Sequence, residues 1–115
     1  MKNIKLRKHP VPLSLRPRHR YLLVELIPEK ELRLTGGEVH AVLSRHFEWF
    51  FGVKGLAFNG LSVIKVDAAA LKAVIKCVRG FEDEAKSSLL FLDSINKVKV
   101  IAFASRASGT IKSLL

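Results

Sequence analysis

Between Val39 and Phe50, six side chains fall on one line. Val39, Val42, Leu43, His46, Phe47 and Phe50 recur at i, i+3, i+4, i+7, i+8 and i+11, which places them on one face of an α-helix. A strand would divide the same six between its two faces, because its side chains alternate at every residue. So continuous a stripe has to be buried against a second layer. The chain supplies candidates for that layer in the apolar runs "RYLLVELI" (residues 20–27) and "VKVIAFAS" (residues 98–105). Gly52 ends the helix, as a residue that accepts positive φ beyond a last helical turn.

The run at 20–27 reads as a strand, and its near-continuous apolar character predicts a central position with at least one fully covered face. In "GVKGLAFNGLSVIKV" the pair Asn59-Gly60 stands between apolar runs, a strong hairpin signal because both residues tolerate positive φ. Strands are therefore predicted at 54–58 and 61–66. Asp67 then caps a second helix over "AAALKAVIKCVRG", with Leu71, Val74, Ile75 and Val78 as its buried stripe and Gly80 as its end. "SSLLFL" and "VKVIAFAS" follow as strands joined by the turn "DSINK". The order strand, helix, strand, strand, helix, strand, with one further strand near the end, predicts an α+β fold. Its form is a two-layer sandwich of ferredoxin-like or RNA-recognition-motif type, a mostly antiparallel sheet with two helices on one face.

Charge divides the chain. The net charge is +10, and seven of the 20 basic residues lie within the first 20 positions, where there is no acid. Pro10, Pro12 and Pro17 deny that stretch a regular helix. Residues 1–19 are accordingly a basic, proline-containing arm, and residues 20–115 a single domain. The arm is either a solvated tail or a segment that orders on a phosphate backbone through Lys5, Arg7, Lys8, Arg16, Arg18 and Arg20. On the predicted second helix Lys72, Lys76 and Arg79 stand at i, i+4 and i+7, opposite its apolar stripe. This is a plain solvated face or, with Arg106 and Lys112, part of a wider phosphate-binding surface. No apolar run reaches the roughly 18 to 20 residues of a membrane span. The N-terminus lacks the apolar segment of a signal peptide, and the single cysteine suits a reducing compartment. A cytoplasmic protein without a membrane partner is expected.

Catalytic patterns are missing from the sequence. There is no HExxH, no GxxxxGK[ST] and no GxSxG. Cys77 sits among apolar positions and reads as buried filler. Glu82-Asp83-Glu84 is a run of acids without the spacing of a metal site. In "HFEWFF", Phe47 and Phe50 belong to the core stripe, whereas Trp49 and Phe51 fall off it and cover a sheet edge or meet a partner chain. "RYLLVELI" offers only Tyr21 as a ring and "LSVIKV" none, so a sheet face built from them is apolar, without the base-stacking aromatics of a typical RNA-recognition motif.

Several stretches together resemble one family. "RYLL" opening the first strand, the glycine-containing turn feeding "VIKV", the stretch after it and the closing "SGTIK" are similar to the family of ribonuclease P protein component 2. These are the archaeal counterparts of the eukaryotic Pop-five subunit shared by ribonucleases P and MRP. The likeness runs from about Arg18 to the C-terminus. It implies an RNA-recognition-like sandwich and a non-catalytic subunit of a ribonucleoprotein endonuclease, whose RNA cleaves precursor transfer RNA to free its mature 5′ end. It also implies two partners, the ribonuclease P RNA and the TIM-barrel protein component 3, and two such protein pairs can join. Magnesium ions then belong to the RNA active site, and neither cofactor nor metal ligand is expected in this chain.

The closing "SRASGTIKSLL" is then open to two readings. Backbone N–H groups of Ser108, Gly109 and Thr110 can seat a phosphate oxygen at the start of a final helical turn, with Lys112 adding charge. Alternatively, Ser108 or Thr110 caps a turn that merely stops the strand. The resemblance favours RNA contact. Two other functions remain on sequence grounds: another RNA-associated accessory subunit, ribosomal or of an RNA-modification complex, and a ferredoxin-like small-molecule regulatory domain. The second leaves the +10 charge without a purpose.

Overall fold

The computed structural model describes residues 19–111 and 114. The central strand β1, His19–Pro28, buries Leu22, Leu23 and Val24 in succession, so both of its faces are covered. It is followed by α1 (Gly36–Asn59), β2 (Ser62–Asp67), β3 (Lys72–Val78), α2 (Glu82–Leu89), β4 (Ser94–Ile95) and β5 (Val98–Ser108). The strands form one antiparallel sheet in the order β2-β3-β1-β5-β4. The predicted α+β architecture is therefore present, with both helices packed on one face of the sheet. Their core partners are Leu22, Val24 and Leu26 from β1, Ala73, Ile75 and Cys77 from β3, and Val100 and Ala102 from β5.

Helix α1 starts where its cap chemistry dictates. The Thr35 hydroxyl accepts the Glu38 N–H at 3.1 Å, and Glu38 Oε1 accepts the Thr35 N–H at 2.8 Å. This is a capping box whose T-x-x-E signature stands openly in the sequence. Val39, Leu43, His46 and Phe47 are buried as the stripe requires, while Phe50 is half-buried. Gly52 breaks the helix with φ 75° and ψ 169°. The chain then resumes helix to Asn59, so residues 54–58 are not the strand expected there. Asn59-Gly60 is not a hairpin turn either. Gly60, at φ 62°, is the left-handed C-cap, its N–H donating to the Leu56 carbonyl at 2.9 Å, and the Asn59 side chain accepts the Leu61 N–H. The tolerance of positive φ was read correctly, and it ends a helix.

The expected second helix is strand β3. Asp67 does accept an N–H three residues on, from Ala70 at 3.3 Å, as an N-cap would. The turn stops there because Leu71 adopts φ 53° and its carbonyl accepts the Leu26 N–H at 3.0 Å, tying the loop to β1. β-branched Val74 and Ile75 then find burial on opposite faces of a central strand, an arrangement that outweighs a modest helix preference. The actual second helix uses the acidic run. Glu82, Asp83 and Glu84 fill the first turn of α2, where the helix dipole favours anions, and Ala85, Ser88 and Leu89 are its buried face. "SSLLFL" is therefore the end of this helix and the turn after it. The "DSINK" turn is present, with Asn96 and Lys97 both at positive φ between β4 and β5.

Candidate nucleic-acid interface

The face of the sheet away from the helices can be read from its register. One row runs Ser62, Lys76, Tyr21, Ser108, and the next Lys65, Val74, Leu23, Arg106. A third row runs Asp67, Lys72, Glu25, Phe103, and a fourth pairs Ile27 with Ile101. The expectation of an apolar, ring-free face is corrected on both counts. Phe103 joins Tyr21 on it, and Lys65, Lys72, Lys76 and Arg106 charge it. The ring at Phe103 and the cation at Lys65 were legible only as the outward members of the alternating runs "VKVIAFA" and "VIKV". Leu114 folds back onto this face and packs, 4% exposed, against Leu23 and Val74 beside Tyr21. The chain's own last turn thus covers the middle of the open face, closed by the Leu114 N–H donating to the Ile111 carbonyl.

Antiparallel order gathers the start of β1 and the ends of β3 and β5 at one end of the sheet. Lys76, Arg79, Arg106 and the turn at residues 108–110 meet there, and residues 1–18 join the sheet at the same end. Among the described residues, none of Lys76, Arg79 and Arg106 has an ion-pair partner. Lys72 lies two rows away with Asp67 and Glu25 as its register neighbours, a less favourable seat for an anion. Arg20 faces the helices instead, with its Nε 3.4 Å from Glu82 Oε2. Burial works against the Glu82 anion. The N–H groups of Glu82 and Gly80, the latter at 2.6 Å, then Arg20 and Lys86 outweigh it and hold the carboxyl below its ordinary range. Arg20 is in this way committed to α2. Lys5, Arg7, Lys8, Arg16, Arg18 and Lys112 lie outside the described residues.

The closing turn has specific geometry. The Thr110 N–H donates to Ser108 Oγ at 3.1 Å, so that N–H is already engaged and Ser108 caps the turn. Gly109 is exposed. A Cβ placed on it would meet nothing within 4 Å, and its φ is not positive, so the fold itself does not require glycine there.

Other side chains were considered for chemistry of their own. Among the described residues no three of His, Cys, Asp or Glu converge on a common point. Burial pushes the Cys77 thiol up to about 11; Glu82 and Glu84 reinforce the rise and Arg20 opposes it. His46, nearly buried, bridges the helices through Nε2, 2.6 Å from the Ser88 carbonyl. Trp49 is 71% exposed and meets Phe50 edge-on, and Phe50 in turn lies 5.2 Å from the Phe91 ring. Phe51 packs partly against the core. No helix among the described residues is long and apolar enough to cross a membrane.

Comparison with known proteins converges on one group. The model of the Rpp14/Pop5 family matches residues 20–115. The protein named Ribonuclease P protein component 2 from Pyrococcus abyssi is 27% identical over 104 residues, covering 90% of this chain and 86% of the relative. Its namesake from Archaeoglobus fulgidus is 29% identical, covering 89% of each. That from Thermococcus gammatolerans is 30% identical, covering 90% and 85%. Among solved structures, a chain in the cryo-EM structure of yeast Ribonuclease MRP superposes with a TM-score of 0.62 at 14% identity, over 81% of this chain and 75% of that one. At that identity the superposition speaks for the fold.

Proposed function

The chain belongs to the Rpp14/Pop5 family, and on that premise we propose that it is an RNA-binding protein subunit of a ribonuclease P ribonucleoprotein. In this reading the RNA of the complex cuts precursor transfer RNA at its 5′ end, with magnesium at the RNA active site. The chain contributes charge and shape, not a catalytic group. It works in the cytoplasm, paired with ribonuclease P protein component 3, and two such pairs join. The names of the archaeal relatives support the assignment, and the buried, protonated Cys77 supports a non-catalytic role.

The observation that carries RNA binding is the basic end of the sheet. Lys76, Arg79 and Arg106 stand there without ion-pair partners among the described residues, beside a turn whose glycine the fold does not need. Cations so placed neutralise phosphates and release their counterions, which lets like-charged RNA helices approach one another. The unobstructed backbone at Gly109 admits a phosphate at close range, and Lys112 adds charge beside it. The test is the double variant Gly109→Val with Lys112→Ala, titrated against ribonuclease P RNA at several salt concentrations. Weaker binding and a salt slope shallower by roughly one are expected. Unchanged affinity and slope remove the turn from the interface.

A further inference from the structure

Strand β5 is eleven residues long, yet β4 covers only Val98 and Lys99 on its outer side. Beyond that point the sole contact to the outer edge among the described residues is the Val100 N–H donating to the Asp93 carbonyl at 2.9 Å. The pairing on the inner side settles which groups point outward. The Lys99 carbonyl accepts the Glu29 N–H at 2.8 Å and so faces β1. Alternation then turns the N–H and C=O of Ala102 and Ala104 outward, on the same side as the Val100 N–H. No hydrogen bond from a described residue reaches them there. Ser105 has no register partner on β1, since Arg106 pairs with Leu23 and Ala104 with Val24. This bulge limits the open slot to residues 100–104, about the length of a typical strand.

An unpaired edge of this kind is a template for a further strand, and its side chains say which. Ile101 and its register partner Ile27 are 62% and 51% exposed. They line a cleft of about 630 Å³ with Pro28, Asp93, Lys99 and Val100 at the β4 end of the slot. Lys99 and Arg106 stand at the two ends of the slot, and β5 contains no acid. A second copy would set lysine and arginine against lysine and arginine, in a chain already at +10. We infer that the outer edge of β5 accepts, as a sixth strand, an extended segment of a partner protein in which apolar residues alternate with Asp or Glu. The apolar residues seat beside Ile101 and the acids meet Lys99 and Arg106. The RNA reading can fail without touching this inference, because the test contains no RNA.

The test uses the full chain and a seven-residue peptide of alternating valine and glutamate with blocked ends, with amide hydrogen exchange read by NMR. Exchange at Ala102 and Ala104 is expected to slow by about tenfold or more in excess peptide, and not with the matching valine–lysine peptide. Lys99→Glu, an exposed change that leaves the core intact, is expected to abolish the protection. Ala104→Pro removes an outward N–H without removing a bond to β1 and should do the same. The inference is overturned if the two amides are already protected without peptide, or if their protection rises with protein concentration alone, which would mean a second copy occupies the edge. Protection confined to residues around Trp49 and Phe91, or none at all, overturns it equally.

Discussion

Replacing Lys76, Arg79 and Arg106 together by alanine is the sharpest test of where the RNA sits. Each phosphate neutralised by one of them contributes about 0.7 to 0.9 to the slope of log affinity against log salt. Losing three contacts therefore makes the slope shallower by about 2 to 3. Between 50 and 200 mM salt, the affinity ratio of wild type to variant should then shrink by roughly 20- to 40-fold. The assay is a titration of labelled ribonuclease P RNA across that range. The control replaces Lys30, Arg45 and Lys54, which carry the same total charge but stand outside the basic end of the sheet, in the loop after β1 and along α1. The site variant should lose the slope and the control keep it. If both lose it equally, attraction is a property of net charge alone, and the assignment to this end of the sheet is wrong.

Four further outcomes follow from the packing. Thr35→Ala breaks the capping box of α1 and should lower the unfolding free energy by about 1 kcal/mol in urea titration. His46→Phe leaves the Ser88 carbonyl without its donor and should cost about 1 to 3 kcal/mol, whereas Trp49→Ala, already 71% exposed, should change little. Gly60→Ala places a Cβ 3.1 Å from Val78 Cγ2 at a φ of +62° and should destabilise by about 1 to 2 kcal/mol. For Cys77 the sign runs toward alkali. The unfolded thiol ionises near 9.0 and the folded one near 11, so the folded state holds the proton more tightly; its stabilisation is complete below pH 9 and is lost as pH rises through 11. A thermal melt series should show that loss in wild type and a smaller one in Cys77→Ala, and a thiol reagent at about pH 8, below both values, should label Cys77 only as the chain unfolds.

The first helix was legible because a stripe of six at helical spacing has no strand equivalent. Its start was equally legible in Thr35 and Glu38, and the final strand in the alternation of Val100 and Ala102 with Ile101 and Phe103. The middle of the chain was not, and the reason is physical ambiguity in short signals. Asn59-Gly60 offers positive φ, which a hairpin and a helix C-cap both use, and only the tertiary contact of Leu56 with the core decides between them. Shifting that one junction displaced every element after it by one place, so the predicted order of strands and helices came out right while residues 54–92 were assigned to the wrong members. A strand buried on both faces, such as β3, shows no alternation. Its run "LKAVIKCV" matches a helical stripe as well as a covered strand.

The same ambiguity explains why the basic surface survived the error. Lys72 and Lys76 are four residues apart, and a separation of four returns to nearly the same face at 3.6 residues per turn and to the same face at two. Any pair spaced this way can be assigned to a common surface before the secondary structure is known. Arg79, three further on, would fall on the opposite side of a continuing strand; it escapes that fate because β3 ends at Val78 and the chain turns toward Gly80 at φ +105°. Arg20 shows the converse. Its place beside the basic end follows from chain order, but as an even-numbered residue of β1 it shares the face of Leu22 and Val24, and Glu82 of α2 lies there to meet it. Which cations of a basic sequence are free to bind phosphate is thus decided by strand parity and by where the acids of the neighbouring helix fall. Swapping the charges at Arg20 and Glu82 tests this: Arg20→Glu with Glu82→Arg should leave the RNA salt slope as it was, and a slope shallower by about one would put Arg20 back among the phosphate contacts.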